Sequence, residues 1–276
     1  MLSKEEYINN EINNKYNYND VNHLLNNLIN NKRVIFTKFG DGEGACMLYQ
    51  QGKNCDNDTY TQELGNELRE AFCVLCDMCS DENIYIGKWH SNTQLINFYI
   101  DILFDYYINN NKLIKSPPFT DYHFIYPDLN FNKNQNLYNF VDILQKINKY
   151  KIIVSNNSNK NLMTIFKGDI YIEIPSNSWY ANGEYNNIYY QIYEQLKNNN
   201  NGIVLIAGGL ASKILIKNLA LEFKNASFID IGSGFDILAK NQYTRAWNYI
   251  PNFTNSFEAQ YEYFKNLLPN NYLENI

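Results

Sequence analysis

Two carboxylates separated by one residue, Asp41 and Glu43, directly follow a short apolar run at residues 33–38. Glycines at positions 40, 42 and 44 surround them, which lets the backbone turn sharply and lets a ligand come close. Carboxylate oxygens at this spacing can hold a divalent cation, and the cation can in turn hold a diphosphate. The residues also fit a Gly-Asp-Gly turn before a helix whose first turn carries Glu43 to suit the helix dipole. Both interpretations remain open on local grounds.

A second feature is the pair Gly208 and Gly209, which stands between an apolar run at 203–207 and a helical pattern from about residue 211. Glycines here leave backbone N–H groups uncovered at a helix N-terminus, which is an anion site by geometry and dipole. Lys213, in the first turn of that helix, meets a phosphate or faces water. The segment lacks both the G-x-G-x-x-G and the P-loop pattern, so it does not favour NAD or ATP.

Two other apolar runs end in residues that can do chemistry. Asp230 and Asp236 follow the run near residue 229, and either is a candidate general base. A strand-end hydrogen-bonding role is the alternative for Asp230. Trp179 follows the run near residue 172 and either stacks on a base or sugar ring or belongs to the core. Arg245 is expected either to form an ion pair with a phosphate or to pair with a surface acid.

The elements that must position these residues alternate regularly. Short apolar runs at 151–155, 169–174, 202–207 and 227–231 alternate with helical patterns, as do earlier runs at 33–38 and 83–87. This order predicts an α/β, Rossmann-like fold with a mostly parallel sheet and helices on both faces. Helical patterns at 4–14 and 21–29 predict an N-terminal helical extension over residues 1–31. We expect one domain over residues 1–276, whose C-terminal tail, 237–276, packs on the core.

Composition excludes several classes of protein. The net charge of −6 and a pI near 5.2 argue against a nucleic-acid-binding surface. No apolar run has the length of a membrane span and no signal peptide is recognisable, so we expect a cytoplasmic protein. Cys73, Cys76 and Cys79 have a spacing that suggests a metal cluster, but the segment 61–78 and Cys79 have the apolar stripe of one helix, which favours buried helix cysteines. Asp58 is a possible cap of this helix.

Taken together, these segments resemble the glycosyltransferases of the GT-D fold. The family's Arg-Phe-Gly-Asp-Gly-Glu strand end corresponds to residues 38–43, with Lys38 in place of Arg. Its Ile-x-x-Pro-x-x-Asn-Ala-Phe-like segment corresponds to residues 172–179. Its Leu-Ile-x-x-Gly-x-x-Ala-x-x-Leu helix start corresponds to 205–215, and its Ile-Asp-Ile-Gly strand to 229–232. The family's acidic and Arg-containing segment after the middle strand is here 154–160, which has neither an acid nor Arg.

The resemblance implies a transferase of the hexosyltransferase class that uses a nucleotide-sugar donor, usually a UDP-sugar, with Mn²⁺ or Mg²⁺. Asp41 and Glu43 would hold the metal, and with Asp236 they would form the catalytic set. The acceptor would be a glycan or glycoprotein. The donor-binding residues that we expect are Lys38, Gly40, Gly42, Asn156, Trp179, Gly208, Gly209, Lys213, Asp230 and Arg245.

Two other classes of protein compete with this interpretation. A methyltransferase would carry an acid at the end of the second strand to hold a ribose, and residues 83–87 end without one. A non-catalytic nucleotide- or sugar-binding protein would need neither a metal pair nor an anion turn.

Overall fold

The computed structural model of the protein describes residues 3–13, 21–54, 57–79, 83–88, 93–121, 125, 135–175, 178–236 and 239. Seven strands form its sheet: β1 (Ile35–Lys38), β2 (Ile84–Lys88), β3 (Phe119–Asp121), β4 (Lys151–Ser155), β5 (Ile170–Glu173), β6 (Ile203–Ala207) and β7 (Ser227–Asp230). Their order is β3-β2-β1-β7-β6-β4-β5. All six pairings between these strands are parallel, which confirms the predicted α/β class.

Helices lie between the strands and before the first one. Within the described residues they are α1 (Lys4–Asn13), α2 (Val21–Ile29), α3 (Asp41–Met47), α4 (Gln62–Met78), α5 (Thr93–Asn109), α6 (Gln135–Lys146), α7 (Leu162–Phe166), α8 (Tyr185–Asn198) and α9 (Ser212–Glu222). A 3₁₀ turn at Asn157–Asn159 precedes α7. None of the described helices is long and apolar enough to cross a membrane.

Side chains alternate along the strands, so each face of the sheet carries its own hydrophobic core. In β4, Ile152 and Val154 join the core formed with α3, α4, α5, α8 and α9, while Ile153 joins the core formed with α2, α6 and α7. Leu205 and Val204 of β6 divide in the same way. Burial on both faces explains why the strands read as continuous apolar runs.

The N-terminal helices belong to these two layers. Helix α1 packs against α5 on one face of the sheet, and α2 packs against α6 on the other. The Tyr7 hydroxyl of α1 is buried and donates to the Lys115 carbonyl oxygen at 2.7 Å. Residues predicted to form an extension therefore complete the helical cover of the sheet.

Helix α4 begins differently from the sequence expectation, which made Asp58 a possible cap. Thr61 is the N-cap, and its hydroxyl accepts from the Leu64 N–H at 3.1 Å. Cys73 and Cys76 lie buried on the core side of this helix as free thiols. Burial raises the pKa of Cys73 to about 12, as expected for a thiol that packs and does not react.

The chain leaves neighbouring strands toward opposite faces of the sheet. The segments after β1 and β6, which form α3, α4 and α9, pack in one core. The segments after β4 and β7, which hold α7, Phe235 and Ala239, pack in the other. Divergence of this kind opens a crevice at the carboxyl edge of a parallel sheet, where such folds bind ligands. A ligand site is therefore expected at the carboxyl ends of β1, β7, β6 and β4.

Arg33 ties the start of β1 to the end of α9. Its Nε donates to the Ala226 carbonyl oxygen at 3.0 Å and its Nη2 to the Ala220 carbonyl oxygen at 2.6 Å. Burial lowers the pKa of the guanidinium to about 10. A cation at this place also suits the negative end of the α9 dipole.

Replacing Arg33 by Met should lower the free energy of unfolding by about 1–3 kcal/mol, because carbonyl oxygens that it satisfies lose their donor. The neighbouring exposed Lys32 supplies the control, since Lys32→Met should change stability by less than about 0.5 kcal/mol. Urea unfolding followed by circular dichroism measures both. Equal effects of the two substitutions would show that the Arg33 bonds do not stabilise the fold.

Candidate functional site

The first turn of α3 carries the first pair of carboxylates, and it presents them in different directions. Asp41 is exposed at the start of α3, and its Oδ1 accepts from the Gly42 N–H at 3.0 Å. Glu43 turns inward, and its Oε2 accepts from the Gly40 N–H at 2.9 Å. The Gly40 carbonyl oxygen accepts from the buried Tyr99 hydroxyl at 2.6 Å. The Gly40 peptide is thus held at both its donor and its acceptor.

Lys213 of α9 is the centre of a buried ion cluster. Its Nζ lies 2.9 Å from Glu43 Oε1 and 2.9 Å from Asp230 Oδ2. Its side chain is 4% exposed, that of Asp230 1% and that of Glu43 12%. The ammonium also donates to the Gly209 carbonyl oxygen at 3.1 Å. Lys213 therefore does not face water, which was one of the two roles the sequence suggested.

The electrostatics of the cluster favour the charged forms of Lys213 and Asp230. Burial on its own disfavours the ammonium, but the carboxylates of Asp230 and Glu43 outweigh it and raise the pKa of Lys213 above its usual value. Burial likewise opposes the charged form of Asp230. The positive charges of Lys213 and then Lys38 prevail and hold the pKa of that carboxyl below its usual range.

Asp230 is committed to further bonds at the end of β7. Its Oδ2 accepts from the Lys38 N–H at 3.3 Å, and its Oδ1 accepts from the Gly232 N–H at 3.0 Å. Oδ2 therefore has a backbone donor in addition to the Lys213 ammonium, and Oδ1 has a backbone donor of its own. This geometry matches the strand-end hydrogen-bonding role that the sequence left open for Asp230.

The glycine turn between β6 and α9 has an anion bound within the chain itself. Asp58 Oδ2 accepts from the Leu210 N–H at 3.2 Å and from the Asn54 amide at 3.1 Å, and Oδ1 accepts from the Ser178 N–H at 2.9 Å. Gly209 has φ +65°, and a Cβ there would lie 2.3 Å from Asp58 Oδ2. The turn requires glycine for its conformation and for the approach of this carboxylate.

Trp179 lies under the same turn. It is 2% exposed, and its indole N–H donates to the Gly208 carbonyl oxygen at 2.8 Å. Its ring stacks on Tyr185 at a centroid distance of 6.0 Å and an interplanar angle of 10°. In this structure Trp179 occupies the core position that was its alternative role, and it supports the glycine turn from below.

A third polar group lies where β4 and β7 end, on the other side of the crevice. Ser155 Oγ donates to the Ala207 carbonyl oxygen at 3.2 Å and accepts from the buried Asn159 amide at 3.0 Å. The same amide lies 3.5 Å from Oδ1 of buried Asp236. Asn159 Oδ1 has no hydrogen-bond partner among the described residues. Asn156 caps the 3₁₀ turn, accepting from the Ser158 N–H.

Few of the described side chains are placed to hold a divalent metal. Within the described part of the chain, no group of three or more His, Cys, Asp and Glu side chains is placed to hold a metal ion. Glu43 has a partner on each oxygen, whereas Asp41 is exposed at the crevice edge. This arrangement fits a cation held by one protein carboxylate and completed by substrate phosphates, which is how Mg²⁺ is usually bound.

The structure gathers most of the predicted residues at one edge of the sheet. The ion cluster and its surroundings contain Lys38, Gly40, Asp41, Gly42, Glu43, Lys213 and Asp230. The neighbouring turn contains Gly208 and Gly209, with Trp179 against it. The ends of β4 and β7 are followed by Asn156 and Asp236. Arg245 and the tail at 237–276, apart from Ala239, lie outside the described residues.

Sequence reasoning missed two residues of this edge. Asp58 was interpreted only as a helix cap, because its partners Ser178 and Leu210 are 120 and 152 positions away. Asn159 stood in an Asn-rich stretch without a distinguishing pattern. The strand-end position of Ser155, four residues earlier, was the available signal for Asn159.

Gly209→Ala should destabilise the protein more than Gly183→Ala, by at least about 1 kcal/mol. Both glycines have positive φ, +65° and +81°, so both variants carry the backbone strain of about 1–2 kcal/mol. Only at position 209 does the new methyl group meet a carboxylate, because Gly183 has open space around its Cβ position. Thermal and urea unfolding measure the difference. Equal losses would contradict the close approach of Asp58.

No protein-family model matches the sequence, and a search of curated proteins finds no match. Several solved structures are similar to the structure of this chain. One, a selenomethionine-substituted domain of unknown function 1792, is 18% identical with a TM-score of 0.59, and the alignment covers 91% of this chain and 94% of that one. A second, described as the highly conserved domain of unknown function 1792 with a distinct glycosyltransferase fold, is 19% identical with a TM-score of 0.58 and the same coverage.

A third similar structure is described as a new glycosyltransferase (DUF1792) from Streptococcus sanguinis. It is 20% identical with a TM-score of 0.57, and the alignment covers 84% of this chain and 91% of that one. The TM-scores of 0.57 to 0.59 establish the fold of the chain. Because the identities are only 18 to 20%, its reaction has to be argued from the site. The chain therefore has the glycosyltransferase fold described for domain of unknown function 1792, as its resemblance to the GT-D fold implied.

Proposed function

We propose that the protein is a glycosyltransferase of the hexosyltransferase class that moves a sugar from a UDP-sugar to a glycan or glycoprotein acceptor. The observation that carries the proposal is the exposed Asp41 at the carboxyl-edge crevice of a fold shared with structures described as glycosyltransferases. Carboxylates at this edge are suited to diphosphate chemistry because they recruit a cation that neutralises phosphate charge.

The donor's diphosphate is proposed to lie over the β1–α3 loop, close to Asp41. Gly40 and Gly42 lack side chains that would obstruct this approach, and Lys38 adds positive charge at the end of β1. The Gly208–Gly209 turn borders the donor from the β6 side. The Leu210 N–H of this turn is already bonded to Asp58. We therefore propose that the turn shapes the pocket and that its Leu210 N–H does not bond to the diphosphate.

When bound, Mn²⁺ or Mg²⁺ would act as a Lewis acid on the leaving diphosphate. The chain's own contribution is to present Asp41 to the cation. Asp236, on the β7 side, is proposed to take the proton of the acceptor hydroxyl in an inverting transfer. Its buried carboxylate is oriented by Asn159, whose amide lies 3.5 Å away. Asn156 and Arg245 remain proposed donor contacts.

Metal dependence of nucleotide binding tests the donor class. Calorimetry should detect UDP binding with Mn²⁺ and a loss of that binding in EDTA. A screen of nucleotide-sugar hydrolysis with and without Mn²⁺ then identifies the sugar. Failure to bind UDP or GDP under all of these conditions would refute the proposal, whereas binding without turnover would favour a non-catalytic binding protein.

Asp41→Asn should reduce donor turnover by at least about 10²-fold, the scale of a lost electrostatic stabiliser, while the melting temperature stays near that of the wild type. The charge is removed but the shape is kept at an exposed position. Asp105→Asn, on a side chain that is 54% exposed and pairs with Lys4, is the matched control and should keep its activity. Normal turnover of the Asp41 variant would exclude the metal role.

Asp236→Asn should lower the transfer rate by about 10²–10⁴-fold, because the acceptor hydroxyl loses its general base. The UDP affinity measured by calorimetry should remain within a few-fold, since the base acts on the acceptor and does not hold the diphosphate. Transfer rates within threefold of the wild type would rule out Asp236 as the base. Circular dichroism checks that the buried substitution leaves the fold intact.

A further inference from the structure

The two acids of the Asp-x-Glu segment occupy different environments. Asp41 is exposed, while Glu43 is 12% exposed and has a donor on each oxygen, Lys213 on Oε1 and the Gly40 N–H on Oε2. A pair of metal ligands would be expected to turn their free oxygens toward one point. These two side chains point to different partners, so they are not equivalent.

A cation bound by Glu43 would lie close to another positive charge. The Lys213 ammonium is 2.9 Å from Glu43 Oε1. A metal bound to Oε1 at a metal–oxygen distance of about 2.1 Å would lie at most about 5 Å from the ammonium. Moving Glu43 away to avoid this repulsion would remove one of the two carboxylates that balance Lys213 and leave the Gly40 N–H without its acceptor.

Glu43 instead holds the segment that carries Asp41. Its bond to the Gly40 N–H fixes the residue before Asp41, and its bond to Lys213 ties α3 to α9. Tyr99 holds the Gly40 carbonyl oxygen from the other side. We propose that Glu43 is a positioning residue, committed to Lys213 and Gly40, and that Asp41 is the single carboxylate of the pair that reaches the donor's cation.

This inference rests on the proposed function for its metal, and a double-mutant cycle separates the two roles of Glu43. The probe is UDP, titrated by calorimetry over a series of Mn²⁺ concentrations. The variants are Asp41→Asn, Glu43→Gln and the combination of both. The measured quantity is the Mn²⁺ concentration that gives half of the maximal UDP binding.

Asp41→Asn should raise this concentration by at least tenfold. Adding Glu43→Gln to that variant should change it by less than twofold, because a residue that acts through Asp41 has no effect once Asp41 is neutral. A direct ligand would behave differently, since Glu43 would be the last carboxylate of the pair. A further increase of tenfold or more in the combined variant would overturn the proposal.

Hydrogen exchange of the Gly40 amide provides the second measurement, which needs no nucleotide. Glu43→Gln places an amide against the Lys213 ammonium and weakens the bond to the Gly40 N–H, so exchange at Gly40 should become at least fivefold faster. Asp41→Asn, the control, should leave the Gly40 rate unchanged. An unchanged Gly40 rate in Glu43→Gln would overturn the positioning role even if UDP binds. Faster exchange in a protein that binds no UDP would refute the proposed function and leave the positioning role standing.

Discussion

The buried ammonium of Lys213 is the interaction on which the carboxyl edge of this protein depends. Its partners come from the segments after β1 and β7, and Lys213 itself follows β6, so one charge joins three adjacent strands. A buried cation without its carboxylates is strongly destabilising, which makes the geometry of all three segments interdependent. The cluster ties these segments together and leaves Asp41, the first residue of α3, as the acid that is exposed.

Backbone donors complete this arrangement. The carboxylates of Glu43 and Asp230 together accept from the N–H groups of Gly40, Lys38 and Gly232, so the negative charges are distributed over fixed dipoles. Preorganised dipoles and charges of this kind need little rearrangement when a charged ligand arrives. The exposed carboxylate of Asp41 therefore stands beside a rigid network of buried charges and backbone dipoles.

Asp58 applies the same principle to the neighbouring turn. The N-terminus of α9 offers N–H groups that favour an anion, and the chain supplies one from the 54–58 loop. The carboxylate also accepts from Ser178, which brings the segment after β5 to the same place. The Leu210 N–H at this turn therefore helps to join the start of α9 to Asp58 and, through it, to Ser178.

The sequence by itself determined the α/β class, six of the seven described strands (all but the three-residue β3) and the sheet edge at which the candidate residues lie, because these follow from local periodicity and from the parallel direction of the strands. The sequence could not show that Asp41 is exposed while Glu43 is bonded to a buried cation. It also could not show that Lys213 contacts two carboxylates or that Trp179 is buried in the core. Those distinctions depend on partners such as Asp230 and Gly208, which are remote in the chain. Only tertiary packing decides which of two neighbouring acids is buried against a cation and which remains exposed, since the energy of a charge depends on its surroundings and not on its neighbours in sequence.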